Sequence, residues 1–189
     1  MSDMVIQKRR WPGFLLRRWP TALAVLMAIL TAGGSSTPEG VNSFANILPL
    51  LPLLYVVCAK LETRRYTWPL LAASFAVIFA LRMFGVIQLA AVFWAIALVV
   101  LVWGAFDGHL KRSGTLRVQA LGMLVFGGLG LIGLVVDPEI ARYLIAAGWF
   151  FHGVWDVVHL RLDKVVAKSF AEWCAVVDLI IGVEILLHL

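Results

Sequence analysis

The chain has 189 residues, 62% of them apolar and 14% charged, with a mean hydropathy of +0.94. Soluble globular domains carry about 25% charged residues, so this composition excludes an ordinary water-soluble domain and points to runs of membrane-spanning length. The net charge of +5 does not indicate nucleic acid as a partner, because the basic residues are scattered through short connections with no RNA- or DNA-binding pattern around them.

In chain order, apolar stretches predict seven transmembrane helices at 14–34, 43–60, 66–84, 86–106, 116–136, 138–160 and 170–189. The fold class expected is therefore all-α: a polytopic integral membrane protein, with 1–189 forming one transmembrane helical domain. The first stretch follows Lys8, Arg9 and Arg10 and contains Arg17, Arg18 and Pro20, which leaves a short apolar run for a bilayer that takes about 20 residues to cross. It has the outline of a signal peptide ending in "AGGSS", and is read as a first membrane anchor, tilted or lying partly along the interface. Pro49 and Pro52 predict a kink or a broken backbone ladder in the second span. Gly122, Gly127, Gly128, Gly130 and Gly133 predict close helix packing in the fifth. Asp137-Pro138 is an N-cap followed by a first-turn proline, opening the sixth. "SFAE", Ser169 to Glu172, reads as a capping box opening the seventh, which assigns Glu172 a structural task.

The basic residues alternate between connections. Lys8, Arg9, Arg10, Arg17, Arg18, Lys60, Arg64, Arg65, Lys111, Arg112, Arg117, Arg161, Lys164 and Lys168 fall on one side of seven spans; Arg82 and Arg142 fall on the other. By the positive-inside rule the N-terminus is cytoplasmic and the C-terminus outside, as in a multi-pass protein of a cell inner or plasma membrane. Cys58 and Cys174 belong to no CxxC and no disulfide framework.

The informative stretch is "AAGWFFHGVWDVVHLRLDK" in the sixth span. At 100° per residue, His152, Asp156 and His159 share a stripe about 60° wide. A carboxylate facing lipid costs about 2.5–3.5 kcal/mol, so the stripe is expected to face the bundle interior. The seventh span runs antiparallel and carries Cys174 and Asp178 on one face. At 1.5 Å per residue, His152 and Asp178 lie at nearly the same depth, about 13 and 14 Å from the cytoplasmic end, and Asp156 matches Cys174. Glu184, His188 and His109 lie near span ends or in a loop, where solvation accounts for them, and Trp149 and Trp155 flank the stripe as packing residues.

Three readings compete for this cluster. In the first, His152, Asp156, His159 and Asp178 form a proton relay or solute site of a proton- or ion-coupled small-solute carrier. In the second, His152, Asp156, His159, Cys174 and Asp178 are the candidate ligands of a metal ion, zinc being the cofactor such donors suit, in a membrane-embedded lipid-modifying enzyme. His152 and His159 are about 10.5 Å apart along the axis, so one ion would take Asp156 with only one of them. In the third, the groups fasten helices, worth about 0.6–2 kcal/mol, and the protein is a non-catalytic accessory subunit of a membrane complex. The partners expected are the lipid bilayer, a small-molecule or lipid substrate, and a further copy or complex subunit. Haem between two histidines is excluded because both share one helix, and GxSxG, HExxH and P-loop motifs are absent.

Overall fold

The computed structural model describes residues 18–34, 37–85 and 88–187, and among these every regular element is helical. In chain order they are α1 (Trp19–Thr31), α2 (Pro38–Lys60), α3 (Thr67–Met83), α4 (Leu89–Phe106), α5 (Gly114–Gly133), α6 (Pro138–Leu162) and α7 (Lys168–Leu187). A single helical turn, His109–Arg112, joins α4 to α5. The outer residues of the first, fourth and seventh predicted spans lie outside the described residues, as do Lys8, Arg9, Arg10, Arg17 and His188.

Three helices are long and apolar enough to cross a membrane: α2, α4 and α5, with mean hydropathies of 1.7, 2.5 and 1.6. Helices α1 and α3 are apolar but shorter. Helices α6 and α7 have 25 and 20 residues, length enough for a span. Their apolar runs are broken by Arg142, His152, Asp156 and His159, and by Glu172, Asp178 and Glu184.

Helix α2 is interrupted at Leu48 and Pro49, where the prolines fall. Pro52 has no N–H to give the Leu48 carbonyl, which accepts from Leu51 N–H at 3.2 Å instead. Pro49 likewise leaves the Ala45 carbonyl without its helical donor. Gly130 of α5 packs into that gap: a Cβ built there would stand 2.9 Å from the Ala45 oxygen and 3.0 Å from the Pro49 ring. Helix α5 has its own irregularity, a π-helical segment at Met123–Gly127. The Gly127 carbonyl accepts from the Trp94 indole N–H at 3.0 Å. The segment turns Phe126 toward α6, with its ring 5.0 Å from that of His152.

Glycines on α6 and α7 set the closest helix pair. A Cβ on Gly182 would lie 2.7 Å from the Phe150 nitrogen, and one on Gly153 would lie 3.0 Å from the Leu179 nitrogen. Both are backbone contacts, so the two helices touch main chain to main chain, the approach small residues permit in lipid. Asp178 is thereby carried up against His152.

The "SFAE" capping box is not formed, which corrects the expectation from the sequence. Helix α7 begins at Lys168, and Phe170 and Ala171 N–H donate to the Ala167 carbonyl. Ser169 and Glu172 are drawn into tertiary contacts instead. Ser169 Oγ accepts from the Trp68 indole at 3.0 Å. Glu172 accepts from Arg18 at 3.1 Å and from the Thr21 hydroxyl at 2.6 Å, which ties α1 to α7. Glu172 is structural, but through these contacts rather than a cap.

Ion pairs connect the segments that the charge alternation places together. Lys60 meets Asp107 at 2.5 Å, Arg64 meets Asp163 at 2.7 Å, and His109 lies 3.1 Å from Glu62. Buried Thr67 adds a further tie, donating to the Arg64 carbonyl and accepting from Ala167 N–H. At the opposite end of α6, Arg142 donates to the Leu186 carbonyl near the end of α7.

Candidate functional site

Helix α6 brings His152, Asp156 and His159 to its inner face, and all three are buried. Helix α7 adds Asp178 and, one turn earlier, Cys174. Helix α2 contributes Tyr55, and α5 contributes Gln119 and Phe126. The stripe faces the bundle interior, as the sequence pattern predicts.

At the centre, His152 Nδ1 donates to Asp178 Oδ2 at 2.8 Å and lies 3.2 Å from Asp156 Oδ2. Both neighbours are carboxylates, which assigns the ring proton to Nδ1. Asp156 is fixed from its other side by the Tyr55 hydroxyl, which donates to Oδ1 at 2.5 Å. His152, Asp156 and Asp178 are at most 1% exposed. One potential ligand atom from each lies within 4.8 Å of the others. Within this triad, His152 Nε2 and Asp178 Oδ1 have no hydrogen-bond partner among the described residues. No lysine or arginine among the described residues pairs with either carboxylate.

His159 stands apart from that triad. Its Nδ1–H donates to the Trp155 carbonyl at 2.9 Å, which leaves Nε2 to accept from the Gln119 amide at 3.1 Å. Its ring packs edge-on to Tyr55, 4.8 Å between centroids. Tyr55 thus bridges the two layers, bonded to Asp156 and packed edge-on against His159. Cys174 is buried on α7 but does not join the convergent group of His152, Asp156 and Asp178.

A cavity of about 300 Å³ opens at the end of the bundle where Arg64 and Asp163 pair, lined by Cys58, Ala59, Thr115 and Lys164 among others. Cys58 and Ala59 follow Tyr55 by three and four residues, and Thr115 precedes Gln119 by four. About one helical turn, 5.4 Å, therefore separates the lining of this vestibule from the Tyr55–His159–Gln119 layer.

The depth argument from sequence anticipates the His152–Asp178 contact. It misses Tyr55 and Gln119, whose signal is present but weak: a lone hydroxyl in "LLPLLYVV" and a lone amide in "RVQALG". It also leaves out Gly153 and Gly182, the residues that allow α6 and α7 to close on the site. No protein family matches the chain, and comparison with curated proteins and with solved structures returns no match.

Proposed function

We propose that the chain is a seven-span membrane protein, cytoplasmic at its N-terminus and external at its C-terminus, that acts as a proton- or ion-coupled carrier of a small solute. The observation that carries this reading is a pair of buried carboxylates on one buried imidazole. With both carboxylates ionised, even a fully protonated His152 leaves one negative charge in excess. Burying an unpaired ion costs several kcal/mol after relaxation. A mobile cation or proton that completes the cluster removes that cost, and its arrival and departure then couple to the packing of α6 on α7. His159, one turn from the vestibule and packed on Tyr55, is placed to pass protons between the cytoplasm and Asp156.

The seven-span arrangement is supported by the ion pairs Lys60–Asp107, Arg64–Asp163 and Arg18–Glu172, which join segments assigned to the cytoplasmic side. The lengths of α6 and α7 also suit a span, with their polar groups turned inward. A second reading, a metal-dependent enzyme acting on lipid, is favoured by the three ligand atoms converging within 4.8 Å.

The test is uptake into proteoliposomes under an imposed pH gradient, across a panel of small solutes and divalent ions. The carrier reading expects accumulation of at least one species that collapses with a protonophore and is lost in Asp178→Asn. Wild-type protein that accumulates nothing above protein-free liposomes, yet releases fatty acid or headgroup from lipid, would select the enzyme reading instead.

A further inference from the structure

We propose that the ion completing the cluster is a divalent transition-metal ion of the zinc class, held by His152 Nδ1, Asp156 Oδ2 and Asp178 Oδ2. The inference rests on reading the cluster as the ion site of the protein, and it names the chemistry of that ion. Three observations carry it.

The first is charge. A metal-binding imidazole is neutral, so with two carboxylates the ligands sum to −2 and one divalent ion leaves the buried site neutral. The second is the donor set. One imidazole nitrogen with two carboxylate oxygens suits zinc and its first-row neighbours, whereas calcium and magnesium take oxygen donors. The third is geometry. Bonds of about 2.0–2.2 Å give donor–donor edges of roughly 2.8–3.1 Å in octahedral and 3.3–3.6 Å in tetrahedral shells. His152 Nδ1 lies 2.8 Å from Asp178 Oδ2 and 3.2 Å from Asp156 Oδ2. All three residues offer ligand atoms within 4.8 Å of one another, and coordination would move the ring proton from Nδ1 to Nε2.

Two further features fit a ligand site better than a helix fastener. Asp178 Oδ1 is buried and lacks a partner among the described residues, so the carboxylate has a second oxygen to offer. Tyr55 holds Asp156 through Oδ1, the oxygen opposite the candidate ligand, as the hydrogen bond to a coordinating carboxylate does. Cys174, one turn from Asp178, is left outside the shell.

The experiment uses untagged full-length protein in detergent, freed of metal by chelation and titrated with Co²⁺ and Zn²⁺. The expected result is one equivalent of Co²⁺ with visible d–d absorption of nitrogen–oxygen ligation, displaced by Zn²⁺. Asp178→Asn should weaken binding by about 100-fold or more, beyond what loss of an outer-shell partner costs. Glu172→Gln, altered outside the cluster, should bind as wild type does. The variant's folding is checked by its thermal melt, and Asp156→Asn serves if Asp178→Asn does not fold. Folded wild type that binds no stoichiometric metal overturns the inference, as does equal binding by a folded Asp178→Asn variant. Metal-free wild type that still shows pH-driven uptake would overturn the metal while leaving the carrier standing. Metal binding without any uptake would uphold the metal and remove the carrier.

Discussion

Substituting Gly182 by alanine tests how the fold delivers Asp178 to His152. The added Cβ would stand 2.7 Å from the Phe150 nitrogen and 2.9 Å from its Cα, where ordinary contact begins at 3.4 Å. Neither atom belongs to a flexible side chain, so α6 and α7 must separate by about 0.7 Å at the crossing to restore contact distance. If that displacement reaches His152, its 2.8 Å bond to Asp178 opens to about 3.5 Å, beyond hydrogen-bonding range. Overpacking of this kind costs about 1–3 kcal/mol, and a hydrogen bond to a charged group contributes a further 1.5–3 kcal/mol. Gly128→Ala is the matched control. Nothing lies within 4 Å of its Cβ position, so alanine should be neutral or stabilise by up to about 1 kcal/mol through helix propensity. The assay is the thermal melt in detergent for both variants, followed by Co²⁺ titration. Equal melting temperatures for Gly182→Ala and wild type, with unchanged Co²⁺ affinity, would refute the claim that main-chain contact between α6 and α7 builds the site.

Other substitutions probe the cluster itself. His152→Asn leaves two carboxylates facing each other without a cation and should cost about 3–5 kcal/mol, whereas Asp178→Asn leaves the balanced His152–Asp156 pair and should cost markedly less; melts of both in metal-free buffer give the order. Tyr55→Phe removes the donor to Asp156 Oδ1 and should destabilise by about 1.5–3 kcal/mol, or weaken Co²⁺ binding by about 10–100-fold; unchanged values of both would deny Tyr55 its positioning role. Where Lys60 ends α2, its ammonium, helped by His109 N–H, holds the Asp107 carboxyl below its usual range. A carboxyl lowered on folding contributes stability that is present above its unfolded pKa and lost as pH falls through the folded one. Wild type and Asp107→Asn should therefore differ in melting temperature at neutral pH and converge in acid; a constant difference would contradict this.

Much of the helical layout was legible in the sequence because long apolar runs separated by polar connections are a direct helix signal, and each helix falls within a few residues of such a run. The break in α2 at the prolines and the Asp137 cap were legible because each follows from one residue's missing or added hydrogen-bonding group. The "SFAE" cap failed because a local motif competed with tertiary partners: Trp68 took Ser169, while Arg18 and Thr21 took Glu172. At the site, His152 and Asp178 could be paired because two consecutive antiparallel helices share a depth scale. Tyr55 and Gln119 could not, because which face of α2 and α5 meets α6 depends on packing order, and the hydropathy of an all-round apolar helix does not encode it. The glycines of the α6–α7 contact were visible as residues, but the sequence alone does not say which partner backbone they admit.

The most direct test of the central claim, that a buried, charge-unbalanced cluster takes up an ion within the membrane, is charge movement. Proteoliposomes adsorbed on a solid-supported membrane are subjected to a rapid pH step, then to a Zn²⁺ step, with no solute present. The account predicts a transient current in wild type for at least one of the two steps, absent in a folded Asp178→Asn variant and retained in Glu172→Gln. Wild-type currents no larger than those of protein-free liposomes, or currents undiminished in Asp178→Asn, would contradict it.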